Sequence, residues 1–154
     1  MSAAPAPTRV LFIGNSLTYY NGGVEKHLER MCNECGDSAV VLCKSVTKGG
    51  ATLSHLWRKV SECKKQIRTQ AFDYVVLQDD LPELNDVADF TKFVGKFVAL
   101  VRECGAQPML YMCWAYERLA HRASQAAIEE AHREVGNALK VDVVPVGCAR
   151  LELP

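Results

Sequence analysis

The sequence predicts an α/β fold, a three-layer sandwich built on a five-stranded parallel sheet. Three observations predict it. Five short apolar runs rich in Val and Leu recur at intervals of roughly 30 residues. The stretches between them change to a helical apolar period of about 3.6. Parallel strands can be joined only by long crossovers of this kind, and such crossovers are right-handed. The order 2-1-3-4-5 follows, with the first strand central because it is the most apolar on both faces.

The elements follow in chain order. Residues 1–7, with Pro5 and Pro7, read as a flexible N-terminus. Thr8 to Gly14 is an apolar run closed by glycine, the pattern of a strand buried on both faces. Val24, His27, Leu28, Met31 and Cys35 make the first helical stripe, and Ala39 to Val46 the second strand. Leu53, Leu56, Trp57, Val60, Cys63 and Ile67 mark a second helix, with Arg58, Lys59, Lys64, Lys65 and Arg68 on its solvated side. Phe72 to Gln78 is the third strand. Phe90, Phe93, Val94, Phe97, Val98 and Val101 form the third helix, and Gln107 to Trp114 the fourth strand. A leaner stripe from Ala120 through Ala131 to Leu139 forms the fourth helix, and Val141 to Val146 the last strand. A doubly wound sheet of this order usually carries a fifth helix on the face of the first. The residues after Val146 are expected to supply none, so that face is exposed or covered by something else.

Composition limits the function classes. The 154 residues, 49% hydrophobic and 23% charged, suit one domain with its own core. Eighteen basic residues balance eighteen acidic ones, so neither nucleic acid nor an anionic membrane surface is an expected partner. No apolar run approaches the roughly 20 residues of a membrane span, and no targeting peptide opens the chain. Seven cysteines, an odd number set within apolar patterns, read as reduced thiols of a cytoplasmic protein. Cys32-x-x-Cys35 closes a helix, where the dipole does not activate a thiol, and only Cys43 follows as a further ligand. Neither a metal nor a cofactor is expected.

Ligands of open parallel sheets bind beyond the carboxyl ends of the strands. There the chain places Gly14-Asn15-Ser16-Leu17-Thr18, Thr47 to Thr52 with Gly49-Gly50, Gln78-Asp79-Asp80, Trp114-Ala115-Tyr116 and Pro145-Val146-Gly147. A hydroxyl opening a helix, a glycine amide beside it and a side-chain amide one strand away are the parts of a nucleophile with an oxyanion hole. Serine before a helix is also a favoured N-cap. Gly49-Gly50 suits a positive φ. Asp79-Asp80, in a loop before Pro82, are expected to face solvent.

At Leu11 to Tyr20, Ser45 to Leu53, Tyr74 to Gln78 and Tyr111 to Tyr116 the sequence resembles the SGNH (GDSL-type) hydrolase superfamily, in its branch with Gly-Asn-Ser in place of Gly-Asp-Ser. The resemblance runs over nearly the whole chain. It implies a flavodoxin-like sheet and a serine esterase or carbohydrate O-deacylase acting through an acyl-serine. Ser16 would be the nucleophile, and its own amide and that of Gly50 would face the oxyanion. Gln78, standing where most of the superfamily has Asn, would donate the third hydrogen bond. Asn15, Trp114 and Tyr116 would meet a small ester or acylated sugar.

One departure is large. The superfamily takes its base from an Asp-x-x-His block after the fifth strand, and these residues contain no such block. Of the four histidines, His27, His55 and His132 lie on or beside helix stripes. His121 is nearest the active edge, yet two strand spacings, about 10 Å, separate the first and fourth strands. The chain is therefore expected to be a truncated SGNH-like domain, weak or inactive as an enzyme. The competing readings are a pseudoenzyme serving as a binding module, self-associating through the face without a last helix, and a flavodoxin-like nucleotide binder. The second lacks a phosphate-cradling loop.

Overall fold

Each strand of the sheet ends level with its neighbour, so the five following loops share one edge. The computed structural model describes residues 6–35 and 40–151. The expectations for residues 1–5 and for a second strand opening at Ala39 lie outside the described residues. The strands are β1 (Thr8–Gly14), β2 (Val41–Thr47), β3 (Tyr74–Leu77), β4 (Gln107–Tyr111) and β5 (Asp142–Val144). They form one sheet, all pairs parallel, in the order β2-β1-β3-β4-β5. Gly14 pairs with Thr47, Ile13 with Leu77, Leu77 with Leu110, and Tyr111 with Val144.

The helices are α1 (Ser16–Tyr19), α2 (Val24–Glu34), α3 (Leu53–Lys59), α4 (Ser61–Thr69), α5 (Leu81–Leu84), α6 (Val87–Glu103), α7 (Gln125–Leu139) and α8 (Val146–Leu151). Two boundaries differ from expectation for identifiable reasons. The second helix is broken at Val60, whose backbone (φ −113°, ψ 86°) leaves the helical region. The bend lets both Leu53-Leu56 and Cys63-Ile67 reach the same core. The fourth helix starts only at Gln125, where the Ser124 side chain accepts from the Ala127 N–H, so His121 precedes it.

A third difference concerns the chain after β5. The expectation of no helix there is corrected by α8, which begins as the Pro145 carbonyl accepts from the Cys148 and Ala149 amides at 3.1 and 3.2 Å. Proline is pre-organised for a helix start, and the reading of Pro145-Val146-Gly147 as a loop overlooked it.

Alternation along the strands separates two unequal layers. Leu11, Ile13, Val75 and Leu110 are 0% exposed, buried under α3, α4, α6 and α7 with Phe93 and Phe97. Val10, Phe12, Val76 and Tyr111 point the other way, at 4–7% exposure, and pack with Val24 and Leu28 of α2 and Val146 of α8. The second layer is thinner and leaves an apolar groove of about 460 Å³ over β1, β3 and β4, reaching Val144 of β5.

Candidate active site

The first loop is held from below. Asn15 is the N-cap of α1, its side chain accepting from the Leu17 N–H at 3.0 Å. Ser16 is therefore the first helical residue and not the cap. Gln78, 1% exposed at the end of β3, accepts on Oε1 from the Asn15 N–H at 2.8 Å and the Thr18 hydroxyl at 3.0 Å. Its Nε2 donates to the Asp79 carbonyl at 2.6 Å. This approach requires Gly14, because a Cβ there would lie 2.5 Å from both Gln78 Oε1 and Thr18 Oγ1.

The second loop is tied to the first. Asn15 Nδ2 donates to the Ala51 carbonyl at 3.3 Å, and the Lys48 N–H to the Gly14 carbonyl at 3.1 Å. Asp79 Oδ2 accepts from the Leu53 N–H at 2.6 Å, and Cys113 Sγ, at the end of β4, contacts the Asp79 carbonyl at 3.7 Å. Gly50 has φ +64° and nothing within 4 Å of where its Cβ would stand. Gly50→Ala therefore meets no clash, but strain in the left-handed region should lower stability by about 1 kcal/mol, read from denaturant unfolding.

The predicted residues fall into two groups. Ser16, Trp114 and Tyr116 line one cavity of about 650 Å³, together with Tyr20, His27, Glu83 and Arg118. The Ser16 hydroxyl is half-buried and makes no hydrogen bond among the described residues. Gly50 lies outside that cavity, exposed on the neighbouring loop. The structure does not bring Asn15 or Gln78 to the cavity either. Both are 1% exposed, and the bonds given above lock their amides inside the protein. Their polar atoms hold Ser16's backbone in place.

Two acidic residues were misplaced by sequence reasoning. Asp79 and Asp80 do not face solvent; they are 5% and 4% exposed. Burial pushes the Asp79 carboxyl up to about 7, against the opposing pull of the Leu53 amide. Burial also raises Asp80 to about 6, with the Glu83 charge adding to it and a hydrogen bond from Asn15 opposing it. Tyr116 is raised by burial and by the nearby Asp80 and Glu83 charges. Arg118 spans this corner, paired with Glu83 at 3.0 Å and over the Tyr116 ring at 5.3 Å. An acidic pair directly after a buried strand and a buried Gln is the signal that could have revealed their burial.

Among the described residues no histidine is hydrogen-bonded to the Ser16 hydroxyl. His132 is 1% exposed inside α7, its Nδ1 on the Ile128 carbonyl at 2.8 Å and its ring against Phe90. Burial lowers its pKa. His27 lines the cavity, yet its Nε2 sits on the Asn21 carbonyl at 2.7 Å. Among the described residues no cluster of His, Cys, Asp or Glu is arranged to hold a metal ion, and no helix is long and apolar enough to cross a membrane.

No family model matches the chain, and no curated protein matches it. Solved structures do. The chain is similar to a presumed SGNH hydrolase from Slackia heliotrinireducens, with TM-score 0.77 and 24% identity over 97% of this chain and 84% of that one. A DUF4886 family protein from Bacteroides uniformis aligns with TM-score 0.74 and 18% identity over 95% of this chain and 70% of that one. A variant of an acetyl-xylooligosaccharide esterase from Geobacillus aligns with TM-score 0.69 and 12% identity over 95% and 79%. The fold is SGNH-like.

Proposed function

We propose that the protein is a serine-type acyl hydrolase, an esterase or carbohydrate O-deacylase, that reacts slowly because no base is hydrogen-bonded to its nucleophile among the described residues. One observation carries the reading: the Ser16 hydroxyl, without a hydrogen-bond partner among the described residues, opens a helix at the carboxyl edge of the sheet and lines a cavity walled by Trp114 and Tyr116. The amides of Ser16 and Gly50 also have no acceptor among the described residues, and they supply the donors for an oxyanion.

The chemistry follows from these groups. Ser16 Oγ bonds to the acyl carbon of a small ester or acylated sugar while its proton passes to water. The carbonyl π electrons move onto oxygen, where the Ser16 and Gly50 amides stabilise the charge. The alcohol then departs with the C–O bonding pair and takes a proton from water. A second water hydrolyses the acyl-serine, returning the acid and the free hydroxyl. Gln78 and Asn15 act by positioning. The odd number of cysteines, set within apolar patterns, is the basis for placing the protein in the cytoplasm.

A second reading is favoured by the unaided Ser16 and by the apolar groove over β1, β3 and β4, which suits a binding or self-associating module without catalysis. Incubation with p-nitrophenyl acetate separates the two. The hydrolase reading expects an acetyl adduct on Ser16 by intact-mass and peptide mapping, absent in Ser16→Ala. A folded protein that never acylates leaves the binding module.

A further inference from the structure

We infer that Asp79 is a positioning residue, setting where the Gly50 amide stands relative to Ser16; this rests on the acyl-hydrolase reading above. Gly50 has no means of holding its own position. It is exposed, its surroundings are open, and its loop follows β2, an edge strand paired only with β1. Its place must therefore come from bonds to its neighbours in the chain.

The shortest of those bonds is Asp79 Oδ2 to the Leu53 N–H, 2.6 Å, three residues beyond Gly50. The same residue's carbonyl receives Gln78 Nε2 at 2.6 Å, and Gln78 Oε1 receives the Asn15 N–H at 2.8 Å, next to Ser16. Asp79 and Gln78 thus form a two-residue link between the loops that carry the proposed oxyanion amides. Asn15 Nδ2 to the Ala51 carbonyl, at 3.3 Å, is a longer second strap.

Thr52 Oγ1 accepts from the His55 N–H at 3.1 Å and caps helix α3 from within its own loop, whereas Asp79 reaches the Leu53 amide from the end of a different strand and so ties the two loops together. A buried carboxylate is also costly to place, and an apolar residue would suit the surrounding core better if only packing were needed. What the carboxylate adds is a strong acceptor at one defined point of the loop.

The test compares Asp79→Ala and Asp79→Asn with the wild-type protein. Asparagine keeps an oxygen that can receive the Leu53 amide, and alanine does not. Phosphonylation of Ser16 by a fluorophosphonate is followed over a concentration series, separating the limiting rate from apparent affinity. Asp79→Ala should lower the limiting rate by about tenfold, a loss on the scale of a weakened oxyanion donor. Apparent affinity should stay nearly constant, and Asp79→Asn should recover a rate between the two. Equal limiting rates in all three proteins, or no recovery in Asp79→Asn, would overturn the inference.

Amide hydrogen exchange keeps the two claims apart. If the wild-type Ser16 is never labelled, the acyl-hydrolase reading fails. The loop claim is still read from the Leu53 amide and the Gly49 to Thr52 segment, which should exchange faster in Asp79→Ala and nearer to wild type in Asp79→Asn. Should Asp79→Ala not fold, Asp79→Asn against wild type carries both readouts, with a smaller rate loss and a smaller exchange increase expected. Unchanged exchange in the folded variants contradicts the tether.

Discussion

Free imidazole is expected to raise the wild-type protein's hydrolysis of p-nitrophenyl acetate well above that of Ser16→Ala at the same imidazole concentration. The reason is that no base is hydrogen-bonded to Ser16 among the described residues. A serine hydroxyl is nearly all neutral at pH 7, and removing the base of a serine triad costs about 10⁴ to 10⁶ in rate. The Ser16 cavity, about 650 Å³ and open to Trp114 and Tyr116, has room for a small diffusible base beside the substrate. Recovery of even a small part of that loss is a gain of about tenfold or more. Imidazole also hydrolyses this ester in solution, so the measured quantity is the difference between wild type and Ser16→Ala. A saturating dependence on imidazole, lost in Ser16→Ala, is expected. A strictly additive, protein-independent increase would show that Ser16 cannot be activated. His27, whose Nε2 is held by the Asn21 carbonyl, is the control: His27→Gln should leave the rescue in place.

The second large effect is on stability. The Asp79 and Asp80 carboxyls have folded-state pKa values of about 7 and about 6, both raised from 3.8, chiefly by burial. A raised carboxyl pKa means that the folded state binds protons the unfolded chain does not. Above pH 7 both residues are charged in either state, and their burial is a destabilising cost. As pH falls from about 7 towards about 4, the folded protein takes up these protons and gains stability, and below about 4 the gain is complete. At 1.36 kcal/mol per pH unit, Asp79 alone contributes roughly 4 kcal/mol at the limit. Thermal unfolding followed from pH 8 to pH 5 should therefore show a rising midpoint, by several degrees or more. Asp79→Asn, which carries no charge to bury, should flatten most of that slope. A midpoint that falls steadily on acidification would contradict the buried, proton-binding pair.

The architecture was readable because it depends on periodicity. Thr8–Gly14 alternates between two buried faces and returns as β1 at the same boundaries, and the order 2-1-3-4-5 follows from crossovers that each carry one helical stripe. The break at Val60 was hidden because a helical period of apolar residues runs straight through it; only the requirement that both halves reach one core imposes the bend. Helix α8 was missed because six residues after Pro145 are too few to show a period.

At the site, residue types were informative and orientations were not. Ser16, Trp114 and Tyr116 meet in one cavity as their loops suggested. For Gln78, sequence position could place the side chain one strand from Ser16, but not decide which way its amide turns. That is decided by the bare Cα of Gly14 and by the Asn15 N–H, which donates to Gln78 Oε1 at 2.8 Å. Asp79 and Asp80 look like surface acids until the covering elements are in place. Their burial arises from Leu53, Asn15 and Cys113, which are distant in the chain and converge only in the fold.

Covalent labelling of the folded protein with a fluorophosphonate, followed by peptide mapping, bears most directly on Ser16 as a nucleophile set in an SGNH-like fold. The expected result is a single slow adduct on Ser16, faster with added imidazole and absent from Ser16→Ala. A well-folded protein that carries no adduct on Ser16, with or without imidazole, would contradict it.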